Sequence, residues 1–255
     1  TWGDGLWGNG GGFRLTFLAA AGFMLISLIP CCLCQTRPKP DRRELAALGP
    51  WYKNIVALDA IPSALMMACY CMSFILYSTY MVPYSEQYNI AGIGTFFTIY
   101  AVVMLATRPI TGKILDTKGA AVIFYPCTIL FALSFVVVGL FHALPACFLA
   151  AVLSGAGWGA LQPTMQAMAI QSVSPAKRGV ASNTSYFGMD LGYFLGPTLG
   201  GLIVANVHDH GTMFLWGLLP IALGTLIFVL TWRRFKARVA VLQHEDGPAA
   251  GNNQT

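Results

Sequence analysis

The chain has 255 residues, 56% of them hydrophobic and only 10% charged, with a formal net charge of +5. Soluble domains carry about 25% charged residues, so most of this surface cannot face water. Dense Lys/Arg interleaved with aromatics on a polar background is absent, which excludes a nucleic-acid module, and no strand-like alternation suggests a β-barrel.

The apolar residues instead fall in blocks of about 20 or more, the length needed to cross a ~30 Å hydrocarbon layer as a helix. Residues 1–12 are too glycine-rich for a helix and read as a loop. Seven spans follow, at 13–34, 54–81, 91–111, 120–141, 146–172, 180–205 and 212–232. The sequence thus specifies an all-α, polytopic membrane protein. The first span is long, lacks a basic leader and has no small-residue cleavage site, so it does not read as a signal peptide.

Between the first and second spans lies a basic linker, 35–53, whose prolines end the preceding helix and whose RRELAAL stretch suits a short surface helix. Counting Lys and Arg in alternate loops gives fourteen on one side and only Arg14 on the other. The positive-inside rule then puts residue 1 outside the cell and the tail from Arg233 in the cytoplasm. Residues 243–255 are polar and read as disordered. A chain opening at Thr1 inside a loop, with one leading span and then six, suggests part of a twelve-span protein built from two six-span halves. The expected organisation is therefore 1–34 as loop and leading helix, 35–53 as linker, 54–232 as the six-helix half and 233–255 as tail.

Seven cysteines, an odd number, give no disulfide framework. Cys31, Cys32 and Cys34 cluster at a helix end, where small apolar side chains are ordinary and metal binding or acylation is the rival reading. His208-Asp209-His210 similarly reads as a solvated outer loop, with a metal site as the rival. No metal and no cofactor is expected.

Two carboxylates fall inside spans. Asp59 sits near the cytoplasmic interface, where it reaches water. Asp190 lies near the bilayer centre, where a charge costs about 2.5–3.5 kcal/mol on insertion scales and faces the protein interior or a cavity. A carboxylate shut away from water favours its protonated form, so Asp190 is a candidate proton carrier or counter-charge for a cationic substrate. A neutral packing role is the alternative. Asn183, Tyr186, Asp190 and Tyr193 share one helix face by their three- and four-residue spacing. Gly188, Gly192, Gly196 and Gly200 repeat every four residues on another, a small-xxx-small stripe for close helix packing. Pro197, Gly200 and Gly201 weaken the outer half of this helix.

In the fifth span Gly155 and Gly159 form a packing edge, while Trp158, Gln162 and Gln166 recur on a different face as cavity lining or interhelix hydrogen-bonding groups. Tyr70, Phe74 and Tyr77 share one face of the second span and fit either a pocket or a core. The segment 108–119 reads RPITGKILDTKG, in which Gly112, Asp116 and Gly119 form G-x-x-x-D-x-x-G between two spans. Asp116 is expected near the positive end of the next helix, with Arg108 and Lys113 as counter-charges.

These motifs resemble the major facilitator superfamily, C-terminal half. G-x-x-x-D-x-x-G is similar to the family's loop signature in the copy between its eighth and ninth helices, with Ala120 and Ala121 in place of its usual basic residues. GYFLGPTLGG at 192–201 matches G-x-x-x-G-P-x-x-G-G, a pattern of the family's antiporters, here on the eleventh helix instead of the fifth. GGFRLTF at 11–17 looks like the entry to the sixth helix, and SPAKRGVAS like the loop before the eleventh. The resemblance covers all but the tail and is nearest to bacterial drug and metabolite exporters. It implies the sixth to twelfth helices of a secondary transporter in the bacterial cytoplasmic membrane, working by alternating access. Implied partners are a small-molecule substrate, protons, the lipid bilayer and the N-terminal helices of the same protein.

By that resemblance Asp190 couples protons. Tyr186, Trp158, Gln162, Gln166, Tyr70 and Phe74 join it around the substrate, and Arg108, Gly112, Asp116 and Gly119 form a cytoplasmic gate. An importing symporter stays open as an alternative. A seven-helix membrane receptor or sensor shares this topology but leaves the glycine-rich turn unexplained, and a retinal photoreceptor would need a lysine in its last span, where 212–232 has none. An enzyme is disfavoured because neither G-x-S-x-G nor H-E-x-x-H occurs.

Overall fold

A computed structural model of the chain describes residues 11–33 and 56–246. The linker 35–53, Cys34, the side chains of Cys31 and Cys32, and residues 247–255 lie outside the described part. Two units are distinguished, with a division after Ala47. The first contributes α1 (Gly11–Leu33), whose side chains from Phe17 to Pro30 are exposed almost throughout. At about 1.5 Å per residue its 23 residues reach across a bilayer core.

The second unit is a bundle of six spans. After a short 3-10 turn (Leu58–Ala60) come α2 (Ile61–Gln87), α3 (Gly94–Lys118), α4 (Ala120–Leu140) and α5 (Leu144–Gln171). A second 3-10 turn (Pro175–Lys177) leads into α6 (Arg178–Val207), and α7 (His210–Trp216) with α8 (Leu218–Asp246) completes the bundle. Six helical segments are long and apolar enough to cross a membrane, and no strand occurs among the described residues.

Two parallel helix pairs set the architecture. A Cβ on Gly188 or Gly192 of α6 would collide with the carbonyl oxygen of Ala64 or Ala68 of α2. One turn further each time, Gly196 would meet Met72 O at 2.6 Å and Gly200 the Leu76 side chain at 2.8 Å. The α5 glycines repeat this on α3, with Gly155 at 2.8 Å from Tyr100 O and Gly159 at 3.1 Å from Met104 O. In both pairs the partner's number rises by four with the glycine's, so the helices run the same way. Gly157, which the spacing of the fifth span does not single out, fits between Cys127 and Phe131 of α4.

Most polar side chains inside the bundle are paired, as a hydrocarbon surround demands, with the buried Ser185 hydroxyl an exception. Tyr70 hydroxyl bonds Thr128 and Thr225 at 2.8 and 2.9 Å, and Tyr77 donates to Ser134 at 2.8 Å. The last span breaks at Gly217, where an added Cβ would press on Phe135. Ser73 Oγ donates to the Gly217 carbonyl at 2.7 Å, so the break leaves that acceptor satisfied.

Helix ends run past the sequence reading at α2, which reaches Gln87, and at α3 and α8, whereas α6 keeps its expected bounds. α3 runs to Lys118, seven residues beyond the expected end of its span. After Pro109 nothing stops it until Gly119, whose φ of +81° suits glycine. Asp116 therefore lies in the last turn of α3, at the negative end of that helix dipole, and not at the start of the next helix. α6 continues unbroken through Pro197, Gly200 and Gly201, with Tyr80 hydroxyl donating to Pro197 O at 2.7 Å. Finally, α8 extends to Asp246, because RRFKARVAVLQHED contains no Gly or Pro to end it.

At the end opposite the basic loops, Asp209 caps α7, accepting from Thr212 N at 2.7 Å and Thr212 Oγ1 at 2.6 Å. It also accepts from Tyr88 hydroxyl, while the Tyr88 ring stacks on His142 with centroids 3.9 Å apart. The segment expected as a solvated loop is thus a tie between three interhelix connections. Partial burial raises the Asp209 carboxyl, but hydrogen bonds from Thr212 and Tyr88 outweigh it and hold the group below the ordinary carboxylate range. Burial, then the Asp209 hydrogen bond, pushes Tyr88 up to about 12.

A depressed carboxylate contributes stability above its unfolded value, near 3.9, and loses it as pH falls through the folded value. Asp209→Ala is expected to cost about 0.5–2 kcal/mol, a drop of roughly 1–8 °C in thermal midpoint. The drop should be full at pH 7 and shrink below about pH 4. Melting curves of both proteins in detergent at the two pH values check this.

Candidate functional site

One face of α6 stays open. Gly188, Gly192, Gly196 and Gly200 are buried against α2, whereas Asp190 is exposed and Tyr186 is 48% exposed. Asp190 is the thirteenth residue of this 30-residue helix, about 18 Å from its start. Tyr193, half-buried, lies one turn further on the same face.

Beside it, α2 supplies Phe74. Its ring centroid lies 6.2 Å from Tyr193, 5.9 Å from Tyr100 of α3 and 4.6 Å from Trp158 of α5, parallel to the indole within 6°. Four helices thus contribute to one aromatic cluster. Trp158 forms its floor: only 2% exposed, it lies behind Phe74 and packs on Phe131 at 5.8 Å. Stacked rings hold these side chains in fixed rotamers and add about 0.5–1.5 kcal/mol per pair beyond burial.

Toward the basic end the glutamines tie the same helices. Arg108 Nη2 donates to Gln162 Oε1 at 3.1 Å, and Gln166 Nε2 donates to Ser182 Oγ at 2.9 Å. Both amides keep further hydrogen-bonding capacity. Asp190, Tyr186, Phe74, Trp158, Gln162 and Gln166 therefore belong to one region of the bundle.

Tyr70 does not join them. It is fully buried, its hydroxyl is taken by Thr128 and Thr225, and its ring packs on Phe124 and Phe131. The four-residue step that made it look like a neighbour of Phe74 carries it into the core between α2, α4 and α8. Arg108 moves the other way. Because α3 is longer than expected, this residue lies about 15 Å before the helix end, on Gln162, away from the loop signature. Gly112, Asp116 and Gly119 stay at the exposed end of α3, and a Cβ at either glycine would meet nothing within 4 Å. Asp59, the other carboxylate of the sequence reading, is paired with Arg238 Nη2 at 2.8 Å.

Tyr100, Ser182 and the contact of Arg108 with Gln162 escaped the sequence reading. The signal for Arg108 was present: Tyr100, Met104 and Arg108 recur at four-residue steps, and Gly155, Gly159 and Gln162 at steps of four and three, so each row lies on one helix face. Aligning the two rows brings guanidinium to amide.

Chemically, the region offers one carboxylate, one guanidinium, two amides and a wall of aromatic rings. Such a set of groups is chemically suited to an organic molecule with apolar rings and a charged or polar group.

A sequence profile described as Major Facilitator Superfamily matches residues 63–251. The chain is 26% identical over 148 residues to the multidrug export protein EmrB of Haemophilus influenzae, covering 58% of this chain and 28% of that protein. It is 27% identical over 133 residues to multidrug resistance protein 3 of Bacillus subtilis, covering 52% of this chain and 26% of that protein. The matched segments span less than a third of either relative.

Proposed function

The chain belongs to the Major Facilitator Superfamily, and on that premise we propose that it is the C-terminal part of a secondary transporter that exports a drug or metabolite in exchange for protons. In this reading a second set of helices faces α2, α3, α5 and α6, and the two halves rock about a site near the bilayer midplane. The observation that carries it is Asp190: an exposed carboxylate at the middle of a membrane helix whose opposite face is tightly packed. Left toward lipid such a charge is costly; across a substrate cavity it becomes useful.

Asp190 takes the proton, Tyr186, Gln162 and Gln166 supply polar contacts, and Phe74 over Trp158 offers a stacking surface. Arg108 adds a cation that the sequence reading had assigned to the gate. Gly112, Asp116 and Gly119 form an open latch surface for the other half. The export assignment draws support from the names of the two bacterial relatives, and the cytoplasmic membrane of a bacterium is the proposed location.

The test uses proteoliposomes holding the complete transporter, with an imposed pH gradient and a panel of cationic aromatic dyes and metabolites. Accumulation of a compound against its gradient, with protons moving the opposite way, is the expected outcome. Movement of protons and compound in the same direction would overturn export in favour of symport.

A further inference from the structure

The basic end of the bundle contains a partly open cavity, apart from the Asp190 region. The turn Leu58–Ala60, the start of α2, the end of α5 and the last turns of α8 surround a cavity of about 280 Å3. Its polar walls are Asp59, Ser63, Ser172, Thr231, Arg234 and Arg238.

Charge in this cavity is unbalanced. Arg238 holds Asp59, the single carboxylate lining the cavity, at 2.8 Å, with both side chains about half exposed. Arg234, one turn earlier on the same face of α8, has no ion-pair partner among the described residues. Ser172 and Thr231 donate to carbonyls of their own helices, at 2.8 and 2.7 Å. Ser63 makes no hydrogen bond to a described residue and keeps its donor. The free donors that line the cavity are therefore the Arg234 guanidinium, the remaining N–H groups of Arg238 and the Ser63 hydroxyl. Planar guanidinium forks with a hydroxyl match the oxygens of a phosphodiester.

The position says where that phosphodiester comes from. Trp232 stacks between Phe228 and Phe235, at 5.0 and 5.6 Å, with Lys236 Nζ 5.3 Å from its ring centroid. An aromatic belt beside Arg and Lys marks the membrane–water interface. On the membrane side α8 exposes Leu226, Val229 and Leu230, the last by 67%, a track suited to an acyl chain. Arg233, Arg234, Lys236 and Arg238 crowd into six residues, where mutual repulsion is relieved by a bound anion.

We infer that the cavity binds the headgroup phosphate of an anionic phospholipid, gripped by Arg234, Arg238 and Ser63 at the basic end of α2, α5 and α8. The site does not depend on what the transporter carries. A lipid seated there bridges α8 to α2 and to the end of α5, and Asp59 sets its strength by competing for Arg238.

Native mass spectrometry of the full chain in mild detergent tests this, with phosphatidylglycerol, phosphatidylcholine or inorganic phosphate added separately. Phosphatidylglycerol should be retained at least about tenfold better than phosphatidylcholine, the scale of one lost charged contact. Arg234→Gln with Arg238→Gln should remove that preference, and Arg233→Gln, outside the cavity, should keep it. Asp59→Asn should strengthen retention, since it frees Arg238 and removes no donor. Helical circular dichroism and monodisperse elution report folding of each variant. Equal retention of the two lipids, or an unchanged preference in the double variant, overturns the inference. Displacement of phosphatidylglycerol by inorganic phosphate overturns it in favour of a pocket for soluble anions. If the double variant fails to fold, Asp59→Asn decides, and retention no stronger than in the parent overturns the inference.

Discussion

Asp190→Asn in the complete transporter is expected to abolish substrate-stimulated proton release while leaving the protein folded. The replacement keeps size and hydrogen-bonding shape and removes only the exchangeable proton. Asp190 is exposed on α6 and makes no hydrogen bond or ion pair with a described residue, so the six-helix bundle loses no contact on substitution. Transport driven by a pH gradient should fall by at least about tenfold, equivalent to some 1.4 kcal/mol. Exchange of labelled for unlabelled substrate, which needs no net proton movement, should survive. Asp190→Glu should restore part of the coupling, because it returns an ionisable group one methylene further out.

The measurement is pH-dye release in weak buffer on substrate addition, paired with gradient-driven uptake into vesicles. Intact gradient-driven transport in the asparagine variant would remove the proton role from Asp190. Loss of exchange together with coupling would make it a substrate contact instead. Position argues for loss of coupling with exchange retained. The carboxylate stands exposed near the middle of α6, on the face opposite its packed glycines, where substrate and proton can compete for it.

The class of fold was legible because the hydrocarbon layer imposes length and apolarity on every span, and each expected block corresponds to a helix. The packing of α6 on α2 was legible for a similar reason: only glycine at four-residue steps permits such approach, so Gly188 to Gly200 announce it. Side-chain direction was harder. Tyr70 and Phe74 share a spacing, yet one is fixed by Thr128 and Thr225 on other helices while the other meets Trp158. Neither partner is near in sequence. Helix ends were also obscured, because polar residues beyond the hydrocarbon no longer follow membrane rules. Lys113 to Lys118 look like a loop by charge and are helix by propensity. That misreading put Asp116 at the wrong helix end and hid the contact of Arg108 with Gln162.

Gly192→Leu should prevent the six-helix unit from assembling, the largest structural effect expected of any single substitution here. Its Cβ alone would strike Ala68 O and come within 2.7 Å of Cys71 Cβ; a backbone carbonyl inside a helix cannot step aside as a flexible side chain can. Gly188→Ala and Gly192→Ala should each cost about 1–3 kcal/mol by overpacking, or roughly 2–12 °C in thermal midpoint. By contrast, Gly112→Ala, in the loop signature but facing open space, should change stability by less than about 0.5 kcal/mol. Melting in detergent and the yield of monodisperse protein separate these cases, and a leucine variant that melts with the parent would show that the contact yields. The contrast also divides the glycines by purpose. Those of α6 and α5 hold α2 against α6 and α3 against α5. If the bundle is taken as two consecutive triplets, α2–α4 and α5–α8, the α2/α6 pair is the counterpart of the α5/α3 pair, as expected of repeated halves. Each pair runs parallel and rises by the same four-residue step, so the bundle is tied twice by one device. The open face of α6 can then carry a charge that the packing itself does not use.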